Sequence, residues 1–98
     1  MNRRLILRPQ ADAEITEAAF WYENCGTGLG ADFLRAVEAG LAAIQRNPLQ
    51  YQKISGELRR AGLRRFPYGL IYQSREREII VVACAHGRRD PRRWMRRV

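Results

Sequence analysis

The chain has few of the residues that metal and redox chemistry draw on. Its 98 residues include one histidine, His86, and two cysteines, Cys25 and Cys84. A closed tetrahedral zinc site takes four nitrogen or sulfur ligands, so these three side chains fall short of one. Two thiols without framework spacing argue for reduced cysteines in a cytosol rather than a disulfide scaffold. No metal or cofactor is expected, and the expected location is cytoplasmic. Long apolar runs are also missing. The longest, Ile79 to Ala85, is far shorter than the ~20 residues that cross a bilayer, so no membrane association is expected. At the N-terminus only Leu5-Ile6-Leu7 separates Arg4 from Arg8, too little for a secretory signal. Ser55 and Ser74 lie in no nucleophile-elbow glycine pattern, which argues against a serine hydrolase. Lysine is nearly absent, Lys53 being the only one.

Arginine is abundant instead. The chain carries 18 Lys+Arg against 10 Asp+Glu, a formal charge of +8. The excess sits in one half. Residues 1–50 hold five arginines and six acids, whereas residues 51–98 hold thirteen basic residues and four acids. Arginine keeps its charge in any setting and offers a planar fork for carboxylates and phosphates. A basic half of this kind suits an anionic partner: nucleic acid, an acidic protein surface or an acidic lipid headgroup.

The length indicates a single domain over residues 1–98. Residues 3–8 read as a short strand with Leu5 and Leu7 on one face and Ile6 on the other. Pro9 suits the first turn of a helix over 10–25, with Ile15, Ala18, Tyr22 and Cys25 at helical spacing and Phe20 and Trp21 widening that apolar stripe. Gly26 is the expected left-handed cap. Gly26-Thr27-Gly28-Leu29-Gly30 then joins two helices rather than following a strand, so it is not a phosphate-cradling loop. A second helix over 30–46 buries Phe33, Val37, Leu41 and Ile44, and Asn47-Pro48 ends it. Beyond it the period changes. Residues 58–66 form a strand broken by a turn or bulge at Ala61-Gly62. In 67–75, Tyr68, Leu70, Tyr72 and Ser74 share one face, and 79–86 is an apolar strand covered on both sides. Asp90-Pro91 looks like a cap before one or two helical turns. The expected fold is α+β: a two-helix N-terminal hairpin on a mostly antiparallel four-stranded sheet, in the order β-αα-βββ, with a short Arg-rich tail or helical turn. That tail reads as an appendage whose removal leaves the domain folded.

Several segments, taken in order, resemble one family. Arg8-Pro9-x-Ala11-x-x-Glu14-Ile15 precedes Trp21-Tyr22. Phe33 and Ile44-x-x-x-Pro48 follow, then Arg64-Arg65-Phe66-Pro67-Tyr68-x-Leu70-Ile71-Tyr72. The last piece is His86-Gly87-Arg88-Arg89-Asp90-Pro91-x-x-Trp94. Together they resemble the RelE/ParE superfamily of toxins from type II toxin–antitoxin systems, and the ending is most similar to ParE-like members. Arg8 and Glu14 depart from the usual serine and aspartate. The resemblance implies a toxin neutralised by a cognate antitoxin in an oligomeric complex, and it implies one of two actions. ParE-like members inhibit DNA gyrase without covalent chemistry of their own. RelE-like members are metal-independent endoribonucleases that cut mRNA on the ribosome. A third reading is a non-toxic nucleic-acid-binding domain or a degenerate family member.

Cutting RNA through its 2′-OH requires a base, an acid and cations at the phosphate. Candidates for that chemistry are His86, Arg65, Tyr68, Tyr72 and Arg88, with Glu57 as a further acid–base group and Arg59, Arg60 and Arg64 as further cations. The competing reading of His86 is a strand-end residue that orders the tail. RelE-like members often use lysines here and a terminal Tyr or His, which this chain lacks, so the ParE-like reading leads. Under it, Arg64, Arg65, Tyr72, His86, Arg88, Arg89 and Trp94 are the candidate target-binding residues. An acidic antitoxin segment is expected across the helix hairpin and the sheet edge.

Overall fold

A computed structural model describes residues 3–87 and 90–98 of the chain. The element order is β1 (Arg4–Leu7), α1 (Pro9–Cys25), α2 (Leu29–Arg46), β2 (Lys53–Ser55), β3 (Leu58–Gly62), β4 (Tyr68–Ser74), β5 (Glu78–His86) and α3 (Arg92–Met95). The strands form one sheet in the order β1-β5-β4-β3-β2. β1 runs parallel to β5, and the other pairs are antiparallel. The α+β layer is as expected, with a fifth strand. β2 is three residues long and carries no alternation that could announce it.

The helices cover one face of the sheet. Ile15 and Ala18 of α1 and Phe33, Val37 and Ile44 of α2 pack on Leu70, Tyr72, Ile79, Val81 and Cys84. Leu5 and Leu7 join this cluster, while Ile6 packs on the opposite one, as their alternation implied. Around the far end of the hairpin, the Tyr22 ring stacks on Phe33 and meets Phe66 edge-on. The helices approach most closely at Gly30, where a Cβ would lie 2.8 Å from the Ala19 carbonyl oxygen. The Glu23 carboxylate accepts the amides of Gly28 and Gly30 and so holds the start of α2.

Three local expectations are corrected. Gly26 is extended at φ −175°, and Gly28 at φ +90° takes the left-handed position. Ala61 and Gly62 belong to β3, and the chain turns at residues 63–67 instead. Phe20 and Trp21 do not widen the buried stripe; they are 70% and 60% exposed. Only Tyr22 of that aromatic run turns inward. A further feature, which no expectation addressed, is an irregularity in β5. Ile71 faces Ala83 and Tyr72 faces Val81, so Val82 is an extra residue. Such a bulge shifts the phase of the side chains beyond it. Val82 and Ala83 therefore both lie on the helix-free face, and Cys84 returns to the helix side.

Candidate functional site

The helix-free face of the sheet is apolar at its centre, and the C-terminal tail covers it. Leu58, Ile71, Ile80, Val82, Ala83 and Ala85 pack with Trp94, which is only 5% exposed. Asp90 starts the tail helix by accepting the Arg92 amide and pairing with its guanidinium at 2.7 Å. These bonds hold the Asp90 carboxyl down at about 2. The expected cap is therefore present. The tail is not an appendage, however, because it closes the second half of the core.

At the C-terminal half of β5 the fold leaves an edge. β1 pairs only with residues 78–81, and the chain then turns away into α1 through Pro9. The strand continues to His86 with α1 on one side and the tail on the other. Two side chains occupy this edge in place of a neighbouring strand. Glu14 Oε1 accepts the Cys84 amide at 3.0 Å, and Arg97 Nη1 donates to the Val82 carbonyl at 2.9 Å. The two also pair with each other at 3.1 Å and are both partly buried. Glu14 belongs to the N-terminal motif, but neither it nor Arg97 is among the candidate site residues. They lie 83 positions apart, and nothing in their spacing joins them.

Beyond this pair a cleft of about 640 Å³ opens between α1, the end of β5 and the tail. Glu17, Ala18 and Trp21 form its α1 wall, Arg93 and Trp94 its tail wall, and Tyr68, Cys84 and His86 its floor. The Tyr68 and His86 rings meet edge-on at 5.2 Å. Burial and the nearby Glu14 carboxylate push the Cys84 thiol up to about 12, so it stays protonated.

The remaining candidate residues do not converge on this cleft. Arg64 and Arg65 line a separate groove of about 280 Å³ beside the small residues Ala36, Ala39 and Gly40 of α2. Arg65 holds φ +70°, the one left-handed non-glycine among the described residues, and its guanidinium lies 5.9 Å from the Phe66 ring centre. Tyr72 reaches neither groove. It is fully buried on the helix side, and its hydroxyl donates to the Pro48 carbonyl. Burial raises its phenol to about 12. This corrects its candidacy as a target-binding or acid–base group, because a side chain inside the core meets no macromolecule. Trp94 is likewise turned into the sheet. Arg59 donates to the Tyr51 carbonyl at 2.6 Å and Arg60 to the Gly87 carbonyl at 3.1 Å, so both are committed to backbone. Arg88 and Arg89 lie outside the described residues.

Among the described residues, no group of three or more His, Cys, Asp or Glu could hold a metal ion, and no helix is long and apolar enough to cross a membrane. Comparison with known proteins adds the following. A family model described as the ParE toxin of the type II toxin–antitoxin system parDE matches residues 5–91. No curated protein matches the sequence. A solved chain described as the chromosomal ParDE TA system from P. aeruginosa superposes with a TM-score of 0.72 at 14% identity, over 88% of this chain and 97% of that one. At that identity the superposition speaks for the fold.

Proposed function

The chain belongs to the ParE toxin family of type II toxin–antitoxin systems, and from that membership we propose that it arrests growth by binding and inhibiting DNA gyrase, held inactive by a cognate antitoxin. The observation that carries the choice of gyrase over RNA cleavage is that the candidate catalytic groups divide, only Tyr68 and His86 sharing one cleft. Tyr72 is sealed in the core, Arg65 lines the α2 groove, and His86 lines the β5 cleft. In-line cleavage needs its base, acid and cation around one phosphate. Binding a protein target has no such requirement and is well served by a basic surface of exposed arginine forks.

Inducing the chain alone in growing cells tests this reading. The expected outcome is growth arrest with a DNA-damage response and intact ribosome-bound mRNA. Codon-specific mRNA cuts without a damage response would assign the chain to the ribonuclease branch of the superfamily. Co-production with the protein encoded beside it should restore growth and yield a complex that weakens with salt.

A further inference from the structure

We infer that the groove between α2 and the turn at residues 63–67 is the surface that engages gyrase. Its occupant is an acidic protein segment. Carboxylates of that segment meet the forks of Arg64 and Arg65, and an apolar side chain beside them seats against α2. This rests on the gyrase reading above and deepens it by naming where, and by what chemistry, the target is held.

Arg65 sits where an arginine is costly. At φ +70° an L side chain crowds its own backbone, whereas glycine takes that region freely. The fold gains little from the choice. Arg59, Arg60, Arg92 and Arg97 are committed to carbonyls or carboxylates of the chain. Arg64 and Arg65 are both exposed, and neither side chain joins a hydrogen bond or an ion pair among the described residues. The Arg65 guanidinium has the Phe66 ring beside it and no carboxylate. The one carboxylate on the groove, Asp32, is taken by Arg35 one turn along α2. A strained backbone position that keeps a costly side chain points to what that side chain does outside the fold.

The groove beside the two forks is apolar. Ala36, Ala39, Gly40 and Ala43 form its α2 wall, a row about 10 Å long at the helical rise, and Leu63 and Phe66 face them. α2 comes close to the sheet at Gly40, where a Cβ would lie 3.1 Å from the side chains of both Leu63 and Leu70. The resulting slot of about 280 Å³ admits a side chain or two rather than a whole element. This combination selects the partner. Guanidinium forks pair equally well with phosphates and carboxylates. A phosphate backbone answers only the charge and leaves the slot empty. An acidic protein segment answers both, with carboxylates on the forks and an apolar anchor in the slot. The positive half of the chain around the groove draws such a segment in.

The test is gyrase supercoiling titrated with the full chain and with Arg65→Gly, Ala39→Trp and Arg77→Gln, each variant also melted on its own. Glycine suits φ +70°, so Arg65→Gly is expected to melt no lower than the parent and yet to inhibit about tenfold more weakly or worse. Stability and inhibition then move apart, which a merely structural arginine cannot produce. Ala39→Trp fills the slot from the exposed side of α2 and is expected to weaken inhibition by a similar factor. Arg77→Gln removes one exposed charge from the β4–β5 turn and is expected to inhibit like the parent, which separates the site from net charge. Parental inhibition by either Arg65→Gly or Ala39→Trp overturns the site and leaves the gyrase reading standing. So does a markedly lower melting temperature in Arg65→Gly. Binding of the chain to DNA without gyrase, lost in Arg65→Gly, assigns the forks to phosphates and also overturns it. A parent chain that leaves gyrase fully active overturns this inference and the gyrase reading together.

Discussion

Tyr72 shows how the same sequence feature can be read as chemistry or as packing. A tyrosine in an alternating strand, near arginines, resembles an acid–base group. In the fold it is a strut: its hydroxyl ties β4 to the Pro48 carbonyl at the end of α2. Replacing it with Phe leaves that buried carbonyl without its donor, which costs about 1–3 kcal/mol. The expected outcome for Tyr72→Phe is a lower denaturation midpoint with target inhibition intact. Burial favours the neutral phenol. Its stabilising share is therefore complete below pH 10 and is lost as pH rises from 10 through about 12. Between pH 10 and about 12 the Phe variant should lose less stability than the wild type, so the gap between the two narrows. The two thiols offer a second check. Cys25 is exposed, while Cys84 is buried with its pKa pushed up to about 12. Native iodoacetamide treatment followed by peptide mapping should label Cys25 and spare Cys84; equal labelling would contradict the placement of β5.

The elements legible in the sequence were those with a clean period. Both helices fall within one residue of their expected bounds at each end, and β4 carries the expected faces. What escaped notice did so for physical reasons. β2 is too short to show a period. The bulge at Val82 lies in a run where every residue is apolar, so a phase shift leaves no trace in the pattern. Phe20, Trp21 and Tyr22 look alike to any hydrophobicity rule, yet only Tyr22 lies on the side of α1 that meets Phe33. The clasp of Glu14 and Arg97 joins elements that only the finished sheet brings together. The packing role of the tail is hidden in the sequence for a related reason. Its arginines dominate the composition, while one tryptophan supplies the packing. Trp94→Ala opens the helix-free face and should cost about 3–5 kcal/mol. In a domain of this size that lowers the melting temperature by roughly 12 °C or more. Truncation after Gly87 should leave no cooperative unfolding transition, because Ile71, Ile80, Val82 and Ala85 lose their cover together. Falling pH frays the tail first at its start. The Asp90 contribution is present above pH 3.8 and is lost as pH drops through about 2.

At the scale of the whole molecule, the division of charge follows the division of labour. The acid-bearing half folds into the hairpin, and its carboxylates hold structure: Glu23 starts α2 and Glu14 caps β5. The arginine-bearing half builds the sheet and tail, where Arg59 and Arg60 brace backbone while Arg64, Arg65, Arg93 and Arg96 remain on the surface. A surface of exposed cations, with Tyr72 sealed in the core and Arg65 on a different groove from Tyr68 and His86, fits a protein that acts by occupying its target. The family and the fold were readable from motif order, but the choice between targets was not, because both branches share one scaffold. The measurement that bears on that choice most directly is supercoiling of relaxed plasmid by purified DNA gyrase, titrated with the purified chain. The account predicts dose-dependent loss of supercoiling that the cognate antitoxin reverses. Full supercoiling at a large excess of well-folded chain would contradict it.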